Sequence, residues 1–337
     1  MTRKLAISTV SLGWHRTHTL ERKLRAASTA GFEGVELVIT DLDAHAAQHK
    51  LSRLEAASQI RALCSKNGLN IVSLASFDNF EGHPTKRLSQ RLDQGREWIA
   101  LAHALGTPTI QIPSNDDPDA VGDEEVIVSE LRALADLAMA LDPGQPVKFA
   151  YEALGWGTHV ADWEESLRVV RLVDRPNFGL CLDSYHVLGR LWADPRARTG
   201  RRPGGDTALR ASLDRFVEKC KREEGVRNKI FYVQLSDAEM MTLPILPGHE
   251  AYSGEKDGVH SWCTYGRLFP LEDDKGAYLP VGRVVEAWLR DSGWGDGNGW
   301  VSMEVFHRDM KREECGPEEW AARGRASWEK LKQRHLD

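Results

Sequence analysis

Short apolar runs rich in β-branched residues recur along the chain and alternate with longer amphipathic stretches. Most of these runs are nearly continuous in apolar residues, as is typical of strands buried on both faces. We therefore predict eight strands. They are Leu5–Thr9, Gly34–Ile39, Ile71–Ser76, Thr109–Ser114, Lys148–Ala153, Phe178–Ser184, Ile230–Asp237 and Trp300–Phe306.

The stretches between these runs have helical spacing and end at turn residues, so they predict helices. They are Thr19–Ala30, Leu51–Lys66, Leu88–Leu105, Asp123–Leu141, Asp162–Val173, Thr207–Lys221, Val281–Asp291 and Pro317–Lys332. Alternating strands and helices indicate a parallel sheet with right-handed crossovers. Eight such units favour a closed α/β TIM (β/α)8 barrel. A doubly wound sheet is the alternative, but no glycine-rich phosphate-binding sequence follows the first strand.

The 337 residues fit one barrel, so we predict a single domain over 1–337. Two connections, at about 189–205 and 238–280, are long for a barrel. Both follow strands on the side where barrel active sites lie, so we expect them to be active-site loops. The first loop contains a run of four arginines within residues 196–202, which could equally form an ordinary solvated surface. They are Arg196, Arg198, Arg201 and Arg202.

Composition narrows the class of protein. A net charge of −6 and a pI near 6.1 argue against a nucleic-acid binder. No apolar run approaches the roughly 20 residues of a membrane helix. The chain has five cysteines, none in a CxxC pair, and its first residues lack the features of a signal peptide. We expect a cytoplasmic enzyme of small molecules, either a monomer or a homodimer.

Each of the last four predicted strands ends on a side chain that can bind a metal: Glu152, Asp183, Gln234 and Glu304. A carboxylate at the end of an apolar run is costly unless it is paired or bound to a cation. Neighbouring barrel strands deliver these side chains to one point. Three carboxylates and one amide oxygen form an oxygen-only site that suits Mg²⁺ or Mn²⁺. A buried salt-bridge cluster is the alternative.

Nine sequence blocks spread over nearly the whole chain resemble one family. They are KLAISTVSLG (Lys4–Gly13), QIPSN (Gln111–Asn115), YEALGWGTHVADWE (Tyr151–Glu164), RPNFGLCLDSYHVLGRLWADP (Arg175–Pro195), FYVQLSDAE (Phe231–Glu239), PGHEAY (Pro247–Tyr252), GRLFP (Gly266–Pro270), GAYLPV (Gly276–Val281) and WVSMEVF (Trp300–Phe306). On these blocks the chain resembles the xylose-isomerase-like sugar phosphate isomerase/epimerase barrels. Within them it is most similar to the fungal-type 3-dehydroshikimate dehydratases of quinate catabolism.

The resemblance implies that a divalent cation, Mg²⁺, Mn²⁺ or Co²⁺, binds the four strand-end residues. It also implies loss of water from 3-dehydroshikimate to give protocatechuate. A proton next to the ketone leaves, and the resulting enolate, stabilised by the cation, expels the β-hydroxyl. Some relatives place a histidine two residues after the first metal-binding glutamate. Here that position is Leu154.

The reaction needs a base, and we predict His186, three residues after Asp183. His186 could instead orient a metal ligand. His159 and His249 are weaker candidates for the base, and the metal-binding glutamates Glu152 and Glu304 are further catalytic candidates.

The substrate carboxylate needs a cation, and we predict Arg267 in GRLFP, because arginine binds carboxylates through two hydrogen bonds. A salt bridge between loop and barrel is the alternative for Arg267. His249 could contribute to the same wall. Glu36 in the second strand, grouped with the substrate-binding candidates, could support the metal ligands, orient a base, or form an ion pair at the rim of the core. Trp156 and Tyr185 follow metal-bearing strands and line either the pocket or the core.

Two other functions are compatible with these residues. A sugar or keto-polyol isomerase or epimerase would use the same metal, with Glu152 and Glu304 as its two bases. The second compatible function is that of a non-catalytic binding protein on a barrel scaffold. Only the dehydratase forms an aromatic product, which absorbs in the near ultraviolet.

Overall fold

Eight parallel strands form a closed barrel, as predicted. The structure is a computed structural model that describes residues 3–254, 258–295 and 299–337. The barrel strands are β1 (Lys4–Ser8), β2 (Gly34–Val38), β3 (Asn70–Ala75), β4 (Thr109–Pro113), β5 (Lys148–Glu152), β6 (Phe178–Asp183), β7 (Ile230–Leu235) and β10 (Trp300–Met303), and β8 (Asp237–Ala238) and β9 (Arg267–Leu268) form a separate antiparallel pair. The barrel strands neighbour one another in chain order, and pairing of β1 with β10 closes the ring.

Helices surround the barrel and pack apolar faces on it. They are α1 (Leu20–Thr29), α2 (Ile39–His49), α3 (Arg53–Lys66), α4 (Leu88–Leu105), α5 (Glu124–Leu141), α6 (Trp163–Val173), α7 (Ser184–Leu191), α8 (Gly205–Arg222), α9 (Glu224–Lys229), α10 (Gly258–Gly266), α11 (Val281–Val285) and α12 (Pro317–Leu331). All eight predicted helices are present, and α11 continues as a π-helix to Asp291. None of the helices in the described ranges is long and apolar enough to cross a membrane.

Four helices, α2, α7, α9 and α10, were not predicted, and the first two begin directly after a strand. α2 follows β2 at Ile39, and α7 follows β6 at Ser184. In α7 the Asp183 carboxylate accepts a hydrogen bond from Tyr185 N (2.7 Å) and so caps the first turn. The apolar residues continue past the end of each strand, so hydrophobicity alone does not mark the change from strand to helix.

The long connection after β7 is partly ordered. It contains β8, α10 and β9, and its residues 255–257 lie outside the described ranges. The buried Asp237 carboxylate accepts hydrogen bonds from Ala238 N (2.8 Å), Tyr278 N (3.1 Å) and Leu279 N (2.8 Å). These bonds hold the two ends of the connection together at the rim of the barrel.

The arginine-containing connection after α7 is held in place by contacts of its own side chains. The Arg202 guanidinium donates to Ala193 O (3.0 Å) and to Gly189 O (3.3 Å). Arg201 lies over the Trp192 ring, 4.6 Å from its centroid. These two arginines therefore have structural contacts within the loop, so the run is more than a solvated surface.

Alternation of side chains along the strands fixes which residues point into the barrel. An interior cluster is formed by Ala6, Val72, Ala150, Cys181 and Tyr232. The residues two positions after Ala150, Cys181 and Tyr232 are Glu152, Asp183 and Gln234. They point inward as well, one layer closer to the carboxyl-terminal end of the barrel.

Candidate active site

The structure brings the four predicted metal ligands together at the carboxyl-terminal end of the barrel. Glu152 and Asp183 end β5 and β6, Gln234 lies in β7, and Glu304 directly follows β10. All four are between 0% and 7% exposed. Ionisable side chains buried this deeply need partners.

Hydrogen bonds and ion pairs connect the cluster. Arg267 Nη2 lies 2.7 Å from Asp183 Oδ2, and Arg267 Nη1 lies 3.3 Å from Glu304 Oε2. Gln234 Nε2 donates to Glu304 Oε1 (3.0 Å). His186 Nε2 lies 3.6 Å from Glu152 Oε1 and 3.7 Å from Asp183 Oδ2. Potential ligand atoms of Glu152, Asp183 and His186 lie within 4.8 Å of one another, so this group could hold a metal ion.

The carboxylates are held where their charged forms are disfavoured. Burial raises the pKa of Glu152 well above its ordinary value, and the nearby Glu304 and Asp183 carboxylates raise it further. Burial also raises the pKa of Glu304 to about 8, against the opposing effect of Arg267. The buried negative charges of the cluster therefore carry a free-energy cost. That cost falls when a carboxylate takes up a proton or when a cation binds.

A divalent cation fits this arrangement. The cluster has four buried carboxylates, those of Glu36, Glu152, Asp183 and Glu304, and one buried arginine, Arg267, which pairs with two of them, Asp183 and Glu304. Glu152 Oε1 is buried and has no hydrogen-bond partner among the described residues. Carboxylate oxygens with an unused acceptor are the ligands that Mg²⁺ and Mn²⁺ prefer.

The Gln234 amide is held by partners at both ends. Its nitrogen donates to Glu304 and to Glu36 Oε2 (3.1 Å), while its oxygen accepts from Cys181 Sγ (3.1 Å). In this arrangement the nitrogen, rather than the oxygen, faces Glu304. To bind a metal through its oxygen, the Gln234 amide has to rotate by half a turn, so that the oxygen and the nitrogen exchange positions.

His186 is buried and uncharged at neutral pH, because burial lowers its pKa to about 4. Its Nδ1 accepts a hydrogen bond from Gly155 N (3.0 Å). A neutral imidazole with an acceptor at Nδ1 carries its proton on Nε2, which is the atom that faces Glu152 and Asp183. To act as a base through Nε2, His186 must carry its proton on Nδ1 instead. In that tautomer the Nδ1–H group would point at the Gly155 N–H group.

Arg267 is fully buried, and every nitrogen of its guanidinium has a protein partner. Besides the two carboxylates it donates to Ser236 Oγ from Nε (3.0 Å) and from Nη2 (2.7 Å), and Nη1 lies 3.7 Å from Cys263 Sγ. Although burial disfavours its charge, Asp183 raises the pKa of Arg267 above the ordinary value. Arg267 thus forms the salt bridge between loop and barrel that was the alternative to substrate binding.

A cavity of about 470 Å³ opens above the cluster. The candidate residues Glu152, His186, Arg267 and Glu304 line it, together with Leu154 and Trp156. Trp156 packs edge-on against His186, with ring centroids 4.9 Å apart, and its Nε1 donates to Asp116 Oδ2 (2.9 Å). Tyr185 is instead buried, and its hydroxyl donates to Val259 O (2.7 Å). Of the two aromatic candidates, only Trp156 is among the described residues that line the cavity.

Three other candidates, Glu36, His159 and His249, are not among the described residues that line the cavity. Glu36 is buried beneath the cluster, where it accepts from Gln234 and from Ser73 Oγ (3.2 Å), so its contacts match the supporting role. The His159 ring donates to Ala120 O (2.8 Å) on the outer surface. His249 packs edge-on against Tyr265, with centroids 6.1 Å apart, and is not among the described residues that line the cavity. No contact given for His249 in the described part of the chain supports its predicted role in substrate binding.

Two residues of the site were not predicted. Gln111 Nε2 donates to Glu152 Oε2 (2.8 Å) and lies 3.5 Å from Gln234 Oε1, so it joins two candidate ligands. Gln111 is a polar residue inside an apolar strand, and this signal was present in the sequence. His260 of α10 also lines the cavity and packs edge-on against Trp156 at 4.9 Å. Its position depends on a long connection without regular periodicity.

The chain is similar to known proteins over nearly its whole length. Residues 24–331 match the family model of the xylose isomerase-like TIM barrel. A protein of Neurospora crassa named 3-dehydroshikimate dehydratase is 40% identical, over 99% of this chain and 94% of that protein. A protein of Pseudomonas putida with the same name is 34% identical over 90% of this chain, which spans only 38% of that longer protein.

The fold is also found in solved structures. A xylose isomerase-like TIM barrel/4-hydroxyphenylpyruvate dioxygenase fusion protein superposes with a TM-score of 0.73 at 26% identity. The match covers 99% of this chain and 44% of the fusion protein. The similarity therefore includes all the strands that carry the candidate site.

Proposed function

Since the chain belongs to the xylose isomerase-like TIM barrel family and, within it, to the 3-dehydroshikimate dehydratases, we propose that it converts 3-dehydroshikimate into protocatechuate and water. One observation supports this proposal above the others. Glu152, Asp183 and Glu304 are buried beneath a cavity of about 470 Å³ that a small ring carboxylate can enter.

We further propose that Glu152, Asp183, Gln234 and Glu304 hold the divalent cation, with Mg²⁺, Mn²⁺ and Co²⁺ as the candidates. When bound, the cation acts as a Lewis acid that stabilises the negative charge developing on the substrate ketone. Gln111 keeps Glu152 in place through its hydrogen bond, while Glu36 holds Gln234 in the amide orientation described above.

His186 and Glu152 are proposed to handle the protons as a pair. The elimination needs an acceptor for the proton next to the ketone and a donor near the leaving hydroxyl. The hydrogen bond from Gly155 favours His186 Nε2–H as a hydrogen-bond donor that orients the leaving hydroxyl, because a neutral imidazole does not release this proton. Glu152 Oε1, which faces His186 Nε2 at 3.6 Å and has no other partner among the described residues, is then the acceptor. The carboxylate that takes the proton from carbon also gives it to the hydroxyl, which leaves as water. The role of His186 as the base, expected from the sequence, stays a prediction.

Arg267 is proposed to receive the substrate carboxylate. It lines the cavity, and it stacks between Tyr185 and Phe306, whose ring centroids lie 4.8 Å and 5.3 Å from the guanidinium carbon. Because Asp183 and Glu304 now occupy its N–H groups, substrate binding has to exchange at least one of these contacts.

The decisive experiment follows product formation directly. The purified protein, stripped with a chelator and reloaded with Mg²⁺, Mn²⁺ or Co²⁺, is given 3-dehydroshikimate while near-ultraviolet absorbance is recorded. We expect protocatechuate to form only with added metal. An isomerised or epimerised product without aromatic absorbance would instead support the sugar isomerase alternative.

Two predictions about the whole protein accompany this proposal. We propose a monomer or a homodimer and a cytoplasmic location. Light scattering of the purified protein measures the first, and fractionation of the source cells measures the second. A larger assembly or a secreted protein would contradict them.

A further inference from the structure

A second group of metal-binding side chains lies outside the barrel, between α1 and α2. Glu21 comes from the first turn of α1, and His45 and His49 come from α2. Glu21 Oε1 lies 2.9 Å from His49 Nε2 and 3.2 Å from His45 Nδ1. Potential ligand atoms of all three residues lie within 4.8 Å of one another.

His45 lacks the hydrogen bonds that a buried imidazole needs. Its side chain is 1% exposed, and neither ring nitrogen has a hydrogen-bond partner among the described residues. The 3.2 Å approach of Nδ1 to Glu21 Oε1 does not have hydrogen-bond geometry. A buried polar ring without a partner is costly. A cation between the three side chains would give Nδ1 a partner and so lower that cost.

The spacing of the three side chains matches a metal site. His45 and His49 are four residues apart, so they lie on one face of α2. Ligands about 2.0–2.1 Å from a tetrahedral Zn²⁺ are separated from each other by about 3.3 Å. The two distances from Glu21 Oε1, 2.9 Å and 3.2 Å, are close to that separation.

We propose that Glu21, His45 and His49 bind a transition-metal cation of the Zn²⁺ type, at a site separate from the barrel cluster. Two imidazoles and one carboxylate select such a cation over Mg²⁺, which prefers oxygen ligands. His45 also lines a cavity of about 420 Å³, from which water can complete the coordination.

The site would clamp α1 to α2 beside the wall of the active-site cavity. α2 begins directly after β2, and Ile39, its first residue, lines the active-site cavity. Val10, Val38 and Thr40 line both that cavity and the one next to His45. A cation at Glu21, His45 and His49 therefore stabilises a wall of the active site without contacting the substrate.

Zn²⁺ stoichiometry of the full chain tests this inference. Equilibrium dialysis compares the protein with His49→Ala, Glu21→Gln and, as a matched control, His103→Ala, which removes an exposed histidine of α4. His49 and Glu21 are partly exposed, so these substitutions leave the core intact. We expect His49→Ala and Glu21→Gln to bind one Zn²⁺ fewer than the wild type, and His103→Ala to bind the same number.

A second comparison distinguishes Zn²⁺ binding at this site from metal binding at the barrel cluster. In a Glu304→Ala background, Zn²⁺ should still raise the melting temperature, and adding His49→Ala should abolish that rise. Mg²⁺-dependent turnover of the single His49→Ala variant should match the wild type. Equal Zn²⁺ stoichiometry in the wild type and His49→Ala, with both folded by circular dichroism, would overturn the proposal.

Discussion

The two ends of the barrel hold two cavities of different character. The cavity at the amino-terminal end is the larger, about 890 Å³ against about 470 Å³ at the carboxyl-terminal end. Lys4, Lys148 and Arg227 line the larger one, and no aspartate or glutamate is among the described residues that line it. Glu152 and Glu304 line the smaller one.

The difference shows that cavity volume does not locate the chemistry of this fold. At the amino-terminal end, Lys148 is exposed and its ammonium group lies over the Phe231 ring, so its charge is little desolvated. At the other end, the carboxylates are buried at a cost that raises the pKa of Glu304 to about 8. Ionisable groups that converge in a desolvated place mark a functional site, and in barrels they lie at the carboxyl ends of the strands.

The largest effect is expected from the candidate metal ligands. Glu304→Ala should bind little metal in the barrel and lose turnover by roughly 10⁴-fold or more, because Lewis-acid stabilisation contributes several kcal/mol at 1.36 kcal/mol per tenfold. Chelation of the wild type should have the same effect, and Mg²⁺, Mn²⁺ or Co²⁺ should reverse it. Metal analysis and the protocatechuate assay measure both.

A glutamate on the barrel exterior provides the control for that experiment. Glu97→Ala removes an exposed carboxylate of α4 and should leave metal content and turnover unchanged. Full activity of the chelated, metal-free protein would show that the acidic end of the barrel works without a cation.

A smaller loss, about 10²–10⁴-fold, is expected for His186→Ala, which should still bind metal. His186→Gln separates the two roles, since an amide can donate a hydrogen bond but cannot take up a proton at neutral pH. If His186 donates, as the bond from Gly155 favours, Gln should recover part of the activity. No recovery would identify His186 as the base.

Much of this end of the barrel could be predicted from the sequence, because strand ends are visible in the pattern. Glu152, Asp183, Gln234 and Glu304 each interrupt or end a buried run, and parallel strands place such residues on one rim. Hydrogen-bond partners are not visible in this way. The pattern gave no sign that the nitrogen of Gln234 would face Glu304.

The long connection after β7 shows why other assignments could not be made. Its fold depends on contacts between distant residues, such as the bonds from Tyr278 N and Leu279 N to Asp237, rather than on local periodicity. The sequence therefore did not distinguish His249, which lies away from the cavity, from His260, which lines it.

Arg267→Ala should weaken substrate binding by about 2–5 kcal/mol, the typical loss when one partner of a desolvated charge pair is removed. The variant should keep its barrel metal, because Arg267 is not itself a ligand. Metal analysis measures the metal content, and KM is compared with kcat to measure the loss of substrate binding. Arg202→Ala, which removes an arginine bonded to Ala193 O in the neighbouring loop, is the control. An unchanged KM for Arg267→Ala would place the carboxylate elsewhere in the cavity.

The smallest effect is expected at the opposite end of the barrel. Lys148 is exposed there and lies over the Phe231 ring, 5.2 Å from its centroid. Lys148→Ala should therefore cost about 0.5–1 kcal/mol of unfolding free energy, the typical value of an exposed cation–π contact. Metal content, kcat and KM should stay the same, because the substituted side chain lines the amino-terminal cavity, at the opposite end of the barrel from the candidate site. Urea denaturation and the protocatechuate assay measure the two outcomes. A fall in turnover with normal stability would mean that the larger cavity takes part in the reaction, and the contrast between the two ends would then fail.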